Sequence, residues 1–468
     1  MIPRTLAEIT AITRGRLAGI DDAAARALVV DGPVVTDSRE ARAGGLYVAR
    51  VGARLDGHDF VPAARAAGAV AALTTRPVDG LPCVVVPDEQ AAFVALAHDL
   101  IVRHLDLTVV GITGSSGKTS TKDLLAQVLA TALETVANVG SLNSEVGVPL
   151  TVCRITPTTR CLVVEMGARG AGHIRYLTEI APPRIGVVLN VGSAHVGEFG
   201  SRAGIAAAKS ELVQALPPDG LAVLNGDDKA VRAMAAVSAA PVVFVGEGPD
   251  VDVRASDVSL DADGRSRFTL SARGTQVPVH LAVAGRHQVA NALAVAAVAL
   301  DVGLSLEQVA AALATAGPVS RYRMEVTTRP DGVTVVNDAY NANPESMAAA
   351  LAALEVMARG RRAWAVLGPM FELGAESDEA HRAVGVDVAR RGVTRLMVVG
   401  AEAAAIAEGA EAAYDRGDLV VDRVVTTEEA LAILTHELRP GDIVLIKSSN
   451  GAGLRFLGDR LVSAGDAR

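Results

Sequence analysis

The run LTVVGITGSSGKTSTKDLLAQVL, residues 107–129, decides how the rest of the chain is read. It opens on an apolar stretch, 107–111, of the kind that forms a buried strand. Five small residues follow, 113–117, and Lys118-Thr119-Ser120 then begins a pattern of helical period. Strand, glycine-rich turn and helix together put backbone N–H groups and the positive end of a helix around a phosphate. In such a loop the lysine reaches the β- and γ-phosphates and the hydroxyl after it holds Mg2+. Here those residues are Lys118 and Thr119, with Gly114, Ser115, Ser116, Gly117 and Ser120 completing the cradle. The general pattern G-x-x-x-x-G-K-[ST] wants glycine at 112, where this chain has Ile112; its glycines are Gly111, Gly114 and Gly117. A plain glycine-rich turn with a surface lysine is the simpler alternative. Small residues at every position of the loop, ending in Gly-Lys-Thr, favour a nucleotide site.

Around this run the chain alternates strands and helices. At 468 residues it exceeds a single core, and about 100–200 residues per domain suggests three. Half of the residues are hydrophobic and 21% charged, a balance that builds cores rather than disorder. A formal net charge of −9 argues against nucleic acid, whose phosphates need a positive field. Cys83, Cys153 and Cys161 have no metal-binding spacing, and Cys83 and Cys161 lie in strand-like runs, as buried thiols of a reducing compartment do. Neither a secretion signal nor an uncharged apolar run of about 18 residues is present, so a cytoplasmic protein without a membrane span is expected.

Residues 1–105 read as a small α/β domain with polar loops at Thr36-Asp37-Ser38-Arg39 and Asp56-Gly57-His58-Asp59-Phe60, where turn and cap roles compete with ligand binding. Residues 106–317 read as a central ATP-binding domain with a mostly parallel sheet covered on both faces. Within it, 242–283 alternates polar and apolar residues without helices, as antiparallel strands at one edge would. At 318–468 a third, smaller doubly wound domain is expected, entered through a strand over EVTTRPDGVTVVND. In open sheets of this type ligands collect at the carboxyl ends of strands. Those ends carry Glu165, Asn190, His195 and Asn225 to Asp228 in the central domain. Glu165 closes a fully apolar run, where a carboxylate is costly unless it meets a cleft or a cation, and Mg2+ favours hard oxygen ligands. His195 and Lys209 carry no such weight by position alone. In the third domain Asn337-Asp338-Ala339-Tyr340-Asn341-Ala342-Asn343-Pro344 ends a strand with more amide and acid groups than a turn needs.

These motifs resemble the Mur ligases. The loop GITGSSGKTS is that family's variant of the phosphate loop. TDSR, DGHDF, N-x-x-x-GVPLT at 143–151, VVEMGARGAGHI, LNVGSAHVGEFGS, AAAKSELV, GRHQVANALA, Arg323-Met324-Glu325 and NDAYNANPESM follow in the family's order. NDAYNANP is similar to the loop of the members that use D-alanyl-D-alanine. The resemblance implies an N-terminal uridine-nucleotide domain, a central ATPase and a C-terminal dinucleotide-fold-like domain. It further implies ATP-dependent amide formation in peptidoglycan synthesis: the carboxylate of UDP-N-acetylmuramoyl-tripeptide takes the γ-phosphate, and the amine of D-alanyl-D-alanine displaces it. By motif, Lys118, His195, Lys209 and Arg323 would act at the reacting groups. Thr119 and Glu165 would hold one Mg2+ and His195 a second, with Lys209 carbamylated as a further ligand. Asn291, Arg323, Asp338 and Asn341 would contact the nucleotide, and Ser38, Arg39 and Asn143 the uridine-linked substrate. A monomer is expected. Two positions depart from the family pattern: Pro369, where an acidic residue is usual, and Asn450, where arginine is common. A relative that adds a diamino acid would carry a D-N-P-R-type loop, which this chain lacks; a folate-glutamate ligase and a nucleotide-dependent switch are the remaining alternatives.

Overall fold

The computed structural model describes residues 1–52, 54–192, 196–414 and 419–465. Three α/β units follow one another, each built on its own sheet.

The first sheet has the order Arg16–Ala18, Cys83–Val85, Ala69–Thr74, Gly45–Val48, Val34–Val35, parallel except for the Arg16–Ala18 edge. Its two polar loops are short 3-10 turns capped by their aspartates, with Asp37 accepting from the Arg39 N–H and Asp56 from the His58 N–H. Helices Leu6–Thr13 and Glu89–Val102 cover one face. Their apolar residues Leu6, Phe93 and Leu96 belong to the same hydrophobic cluster as Val148, Val152, Leu177 and Leu212 of the central unit. The first and central units therefore share a continuous core.

The central sheet has nine strands, in the order Thr275–Ala284, Arg265–Ala272, Val253–Leu260, Val242–Gly246, Leu221–Asn225, Ile185–Val188, Thr108–Thr113, Cys161–Glu165, Thr135–Ala137. Antiparallel pairing is confined to the last three strands of the 242–284 stretch. Val242–Gly246 itself extends the parallel sheet, because helix Lys229–Arg232 and the turn after it supply a crossover. Helices Lys118–Ala130 and Gln288–Asp301 pack on one face through Leu125, Val128, Leu293 and Val295, while Arg202–Gln214 contributes Leu212 to the other. Strands buried on both sides in this way are nearly all apolar. Register sets Glu165 opposite Ile112 and Val188 opposite Thr113, so three strand ends open at one level. Ile112 fills the core beneath the loop. A Cβ at Gly111 would stand 2.9 Å from Leu212 Cδ1, so the displaced glycine serves close helix packing.

The third sheet runs Glu325–Thr328, Thr334–Asn337, Ile443–Lys447, Ala363–Leu367, Arg395–Val399, Val420–Val424, parallel except for its first strand. The stretch 325–338, read from sequence as one strand, is a hairpin. Gly332 sits at φ 84° and the Arg329 N–H returns to the Val333 carbonyl at 2.8 Å, so Asp331-Gly332 turns the chain. Clusters around Met347, Leu351 and Ile406 on one face and Leu434, Leu457 and Leu461 on the other belong to this unit alone. All three cysteines are buried and free.

Candidate functional site

The ends of strands Thr108–Thr113, Cys161–Glu165 and Ile185–Val188 open into a cavity of about 870 Å³, roofed by residues of the third unit. The loop between Thr113 and helix Lys118–Ala130 turns on Gly117, at φ 81°, where a Cβ would lie 2.7 Å from Asn291 Oδ1. Only glycine meets both demands. Asn190 holds the loop from the neighbouring strand end: its Oδ1 accepts the Ser116 N–H at 2.9 Å and its Nδ2 donates to the Ser116 carbonyl at 3.2 Å. Ser115 Oγ accepts the Gly192 N–H at 2.9 Å. The Lys118 ammonium curls back to the Gly114 carbonyl at 2.8 Å. Burial, and to a smaller degree Arg323, pulls its pKa below the ordinary lysine range, with Glu165 acting the other way.

Glu165 is 1% exposed, yet among the described residues it forms no ion pair. Its Oε2 accepts from the Thr119 hydroxyl at 2.8 Å; its Oε1 accepts from Ser141 Oγ at 3.0 Å and Asn143 Nδ2 at 2.6 Å. A buried carboxylate held only by neutral donors, beside a hydroxyl at a helix N-terminus, is a hard-oxygen set that suits Mg2+.

From the third unit Arg323 extends Nη2 to Thr119 Oγ1 at 3.3 Å, and its guanidinium stacks 4.4 Å from the Tyr340 ring centroid. The flanking Tyr322 and Met324 have φ of 63° and 50°, left-handed values that cost non-glycine residues about 1–3 kcal/mol each. They are held by the Tyr322 N–H on Glu325 Oε2, the Tyr322 hydroxyl on Asp459 and the Met324 N–H on Asp338 Oδ1. Asp338 Oδ2 accepts from the Lys447 ammonium at 2.6 Å, and Lys447 also donates to the Asn341 carbonyl at 2.9 Å. Burial depresses the pKa of Lys447, opposed by Asp338. Both oxygens of Asp338 are thus engaged, one by the Arg323 segment and one by Lys447. Asn291 Nδ2 donates to Gln288 Oε1 at 2.8 Å, and both residues line the cavity, as does His287, whose pKa burial lowers.

The cavity gathers Ser115 through Ser120, Asn143, Glu165, Asn291, Arg323, Asp338 and Asn341, with Gly114 joined through its carbonyl. Lys209 does not line it, but is 6% exposed on Arg202–Gln214 and has no hydrogen-bond partner among the described residues. Burial, helped by Lys118, brings its pKa down to about 7. Ser38 is buried, while Arg39 projects outward and pairs with Asp37 at 2.5 Å; neither lines the cavity. His195 lies outside the described residues. Sequence reasoning passed over Lys447 and Ser141. A charged residue closing the apolar run IVLIK is the same signal that singled out Glu165, and it would have found Lys447. Nothing in the sequence marks Ser141.

Three family models match the chain: Mur ligase family, catalytic domain, over residues 33–98; Mur ligase middle domain, over 112–299; and Mur ligase, glutamate ligase domain, over 322–450. The chain is 50% identical to UDP-N-acetylmuramoyl-tripeptide–D-alanyl-D-alanine ligase of Mycobacterium tuberculosis, across 99% of this chain and 98% of that one. It is similar to MurF from Acinetobacter baumannii, with TM-score 0.86 and 31% identity over 98% and 99% of the two chains. The MurF ligase of Thermotoga maritima in complex with ADP gives TM-score 0.80 and 29% identity over 96% and 100%.

Proposed function

Since the chain belongs to the Mur ligase family, we propose that it is the ATP-dependent ligase joining D-alanyl-D-alanine to UDP-N-acetylmuramoyl-tripeptide in peptidoglycan synthesis. One observation carries this reading: the phosphate loop, the Thr119–Glu165 pair and Arg323 from the third unit converge on a single cavity. The proposed division is 1–105 for the uridine-nucleotide substrate, with Ser38 and Arg39 in its binding loop, 106–317 for ATP and 318–468 for the incoming dipeptide.

The loop N–H groups and Lys118 hold the triphosphate, and Asn291 and Asn341 hold the adenosine end. The tripeptide carboxylate attacks the γ-phosphorus, giving an acyl phosphate and ADP. The dipeptide amine then attacks the acyl carbon, and phosphate leaves with the bonding pair. Such a transfer asks the protein for alignment and charge neutralisation more than for a base. Lys118 and Arg323 supply positive charge from opposite sides, and the third unit's roof keeps water from the acyl phosphate. Thr119 and Glu165 would hold Mg2+, which when bound screens the triphosphate. His195 and a carbamylated Lys209 are proposed as ligands of a second ion. ATP and a UDP-linked precursor as substrates fit a cytoplasmic location, and among the described residues no helix is long and apolar enough to cross a membrane. A monomer is the proposed state.

Phosphate release from ATP with UDP-N-acetylmuramoyl-tripeptide should require D-alanyl-D-alanine. Dependence on a free diamino acid or on glutamate instead would transfer the chain to another branch of the family. For Lys209, a buried amine with pKa about 7 is partly neutral at neutral pH and open to carbon dioxide. The wild-type chain in isotopically labelled bicarbonate should show a carbamate NMR signal that Lys209→Ala lacks. A wild-type spectrum without that signal rules the carbamate out.

A further inference from the structure

Three polar side chains, four residues apart on helix Lys118–Ala130, meet one segment entering from the end of the central unit. Gln127 donates from Nε2 to the Gly317 carbonyl at 2.8 Å and accepts the Gly317 N–H on Oε1 at 3.1 Å. Asp123 Oδ2 accepts the Ser320 N–H at 2.9 Å. Thr119 accepts from Arg323. Positions 127, 123 and 119 thus face 317, 320 and 323 in antiparallel order, because residues four apart share one helix face.

Beside this seam lies Lys122, 2% exposed, for which the mechanism above has no task. Its ammonium pairs with Asp123 Oδ1 at 2.5 Å, donates to the carbonyls of Asn138 at 2.9 Å and Gly140 at 3.0 Å, and reaches Ser320 Oγ at 3.4 Å. A buried charge persists only with partners of this kind. The loop it grips is the one that fixes Glu165. Asn138 Oδ1 accepts the Glu165 N–H at 2.7 Å and its Nδ2 donates to the Leu142 carbonyl, while Ser141 and Asn143 donate to the carboxylate. Neither Lys122 nor Asp123 lines the nucleotide cavity.

We propose that Lys122 and Asp123 are positioning residues of the ligase, a pair that sets Glu165 on one side of Thr119 and Arg323 on the other. The strand-end carboxylate and the third unit's arginine then take up their places together. The pair acts on the phosphoryl-transfer site and so rests on the ligase reading, but its effect on residues 317–323 can be measured without any substrate.

Lys122→Met keeps the stem and removes the charge. Displacing reacting groups by about an ångström costs roughly 10²-fold, so kcat for dipeptide-dependent phosphate release should fall by about that factor. The Kd for ADP, set by the loop and Lys118, should move by no more than about threefold, as expected when only transition-state contacts are lost. Hydrogen–deuterium exchange over 317–323 should accelerate. A merely structural role would lower Tm while leaving kcat per folded molecule and that local exchange unchanged, and this result in folded Lys122→Met overturns the proposal. If Lys122→Met does not fold, Asp123→Asn, which keeps shape and an acceptor for Ser320, decides by the same two readouts. Slower turnover with faster exchange supports the pair; unchanged values overturn it. Should the unsubstituted chain itself release no phosphate in response to dipeptide, the ligase reading fails, and the exchange measurement still decides whether Lys122 and Asp123 seat the segment.

Discussion

Lys118→Ala should lower kcat by about 10³-fold or more, since one preorganised donor at a site of developing charge is already worth 10²–10³. The residue stands at the first position of helix Lys118–Ala130, where its ammonium donates to the Gly114 carbonyl. Alanine is a strong helix former, so the fold should survive, with Tm close to that of the wild type. What disappears is a positive charge in a partly dehydrated cavity, where Coulomb terms are stronger than in water. Steady-state phosphate release at saturating ATP checks this. Rates within tenfold of the wild type would remove the lysine from the reaction and weaken the phosphate-loop assignment.

Arg323→Ala should cost about 10³-fold in kcat or more, the range found when an arginine supplied from outside a phosphate loop is lost. Arg323 reaches Thr119 from the third unit between two left-handed residues, and strain of that kind persists only where surrounding contacts over-determine it. Glu325, Asp338 and Asp459 provide those contacts. Arg323→Lys should recover little of the loss, because the stack on Tyr340 and the reach to Thr119 both use the planar guanidinium. ADP affinity should change much less than kcat. Equal losses in both would mean that the arginine contributes to ground-state binding instead.

The three-unit α/β architecture was legible because buried parallel strands announce themselves as apolar runs, as at CLVV and VLIK. Glu165 was legible for the same reason, as a carboxylate that an apolar run should not carry. The hairpin at 325–337 was misread as one strand although Pro330-Asp331-Gly332 carries a turn signal, and the φ of 84° at Gly332 shows the reversal. Lys209 carried no weight by position alone, because a single residue in an Ala-rich helix does not disclose which face is covered. Asp338, expected on the nucleotide, lines the cavity. Its engagement with Met324 and Lys447 depends on a strand pairing between residues 109 positions apart. The bond between Asp123 and Ser320 spans 197 positions; no local pattern encodes such a meeting.

The hydrophobic clusters also bear on how the chain is made. The first and central units interlock through one cluster that runs from Leu6 to Ala240, and the central sheet's other face is completed by residues up to Ala316. The first unit has a small interior of its own around Tyr47 and Leu81, but the shared cluster can close only once both units, roughly the first two-thirds of the chain, have left the ribosome. The third unit, with two interiors of its own, folds afterwards as an independent module. A nascent chain stalled before Ser320 would therefore hold a finished phosphate loop with no arginine above it.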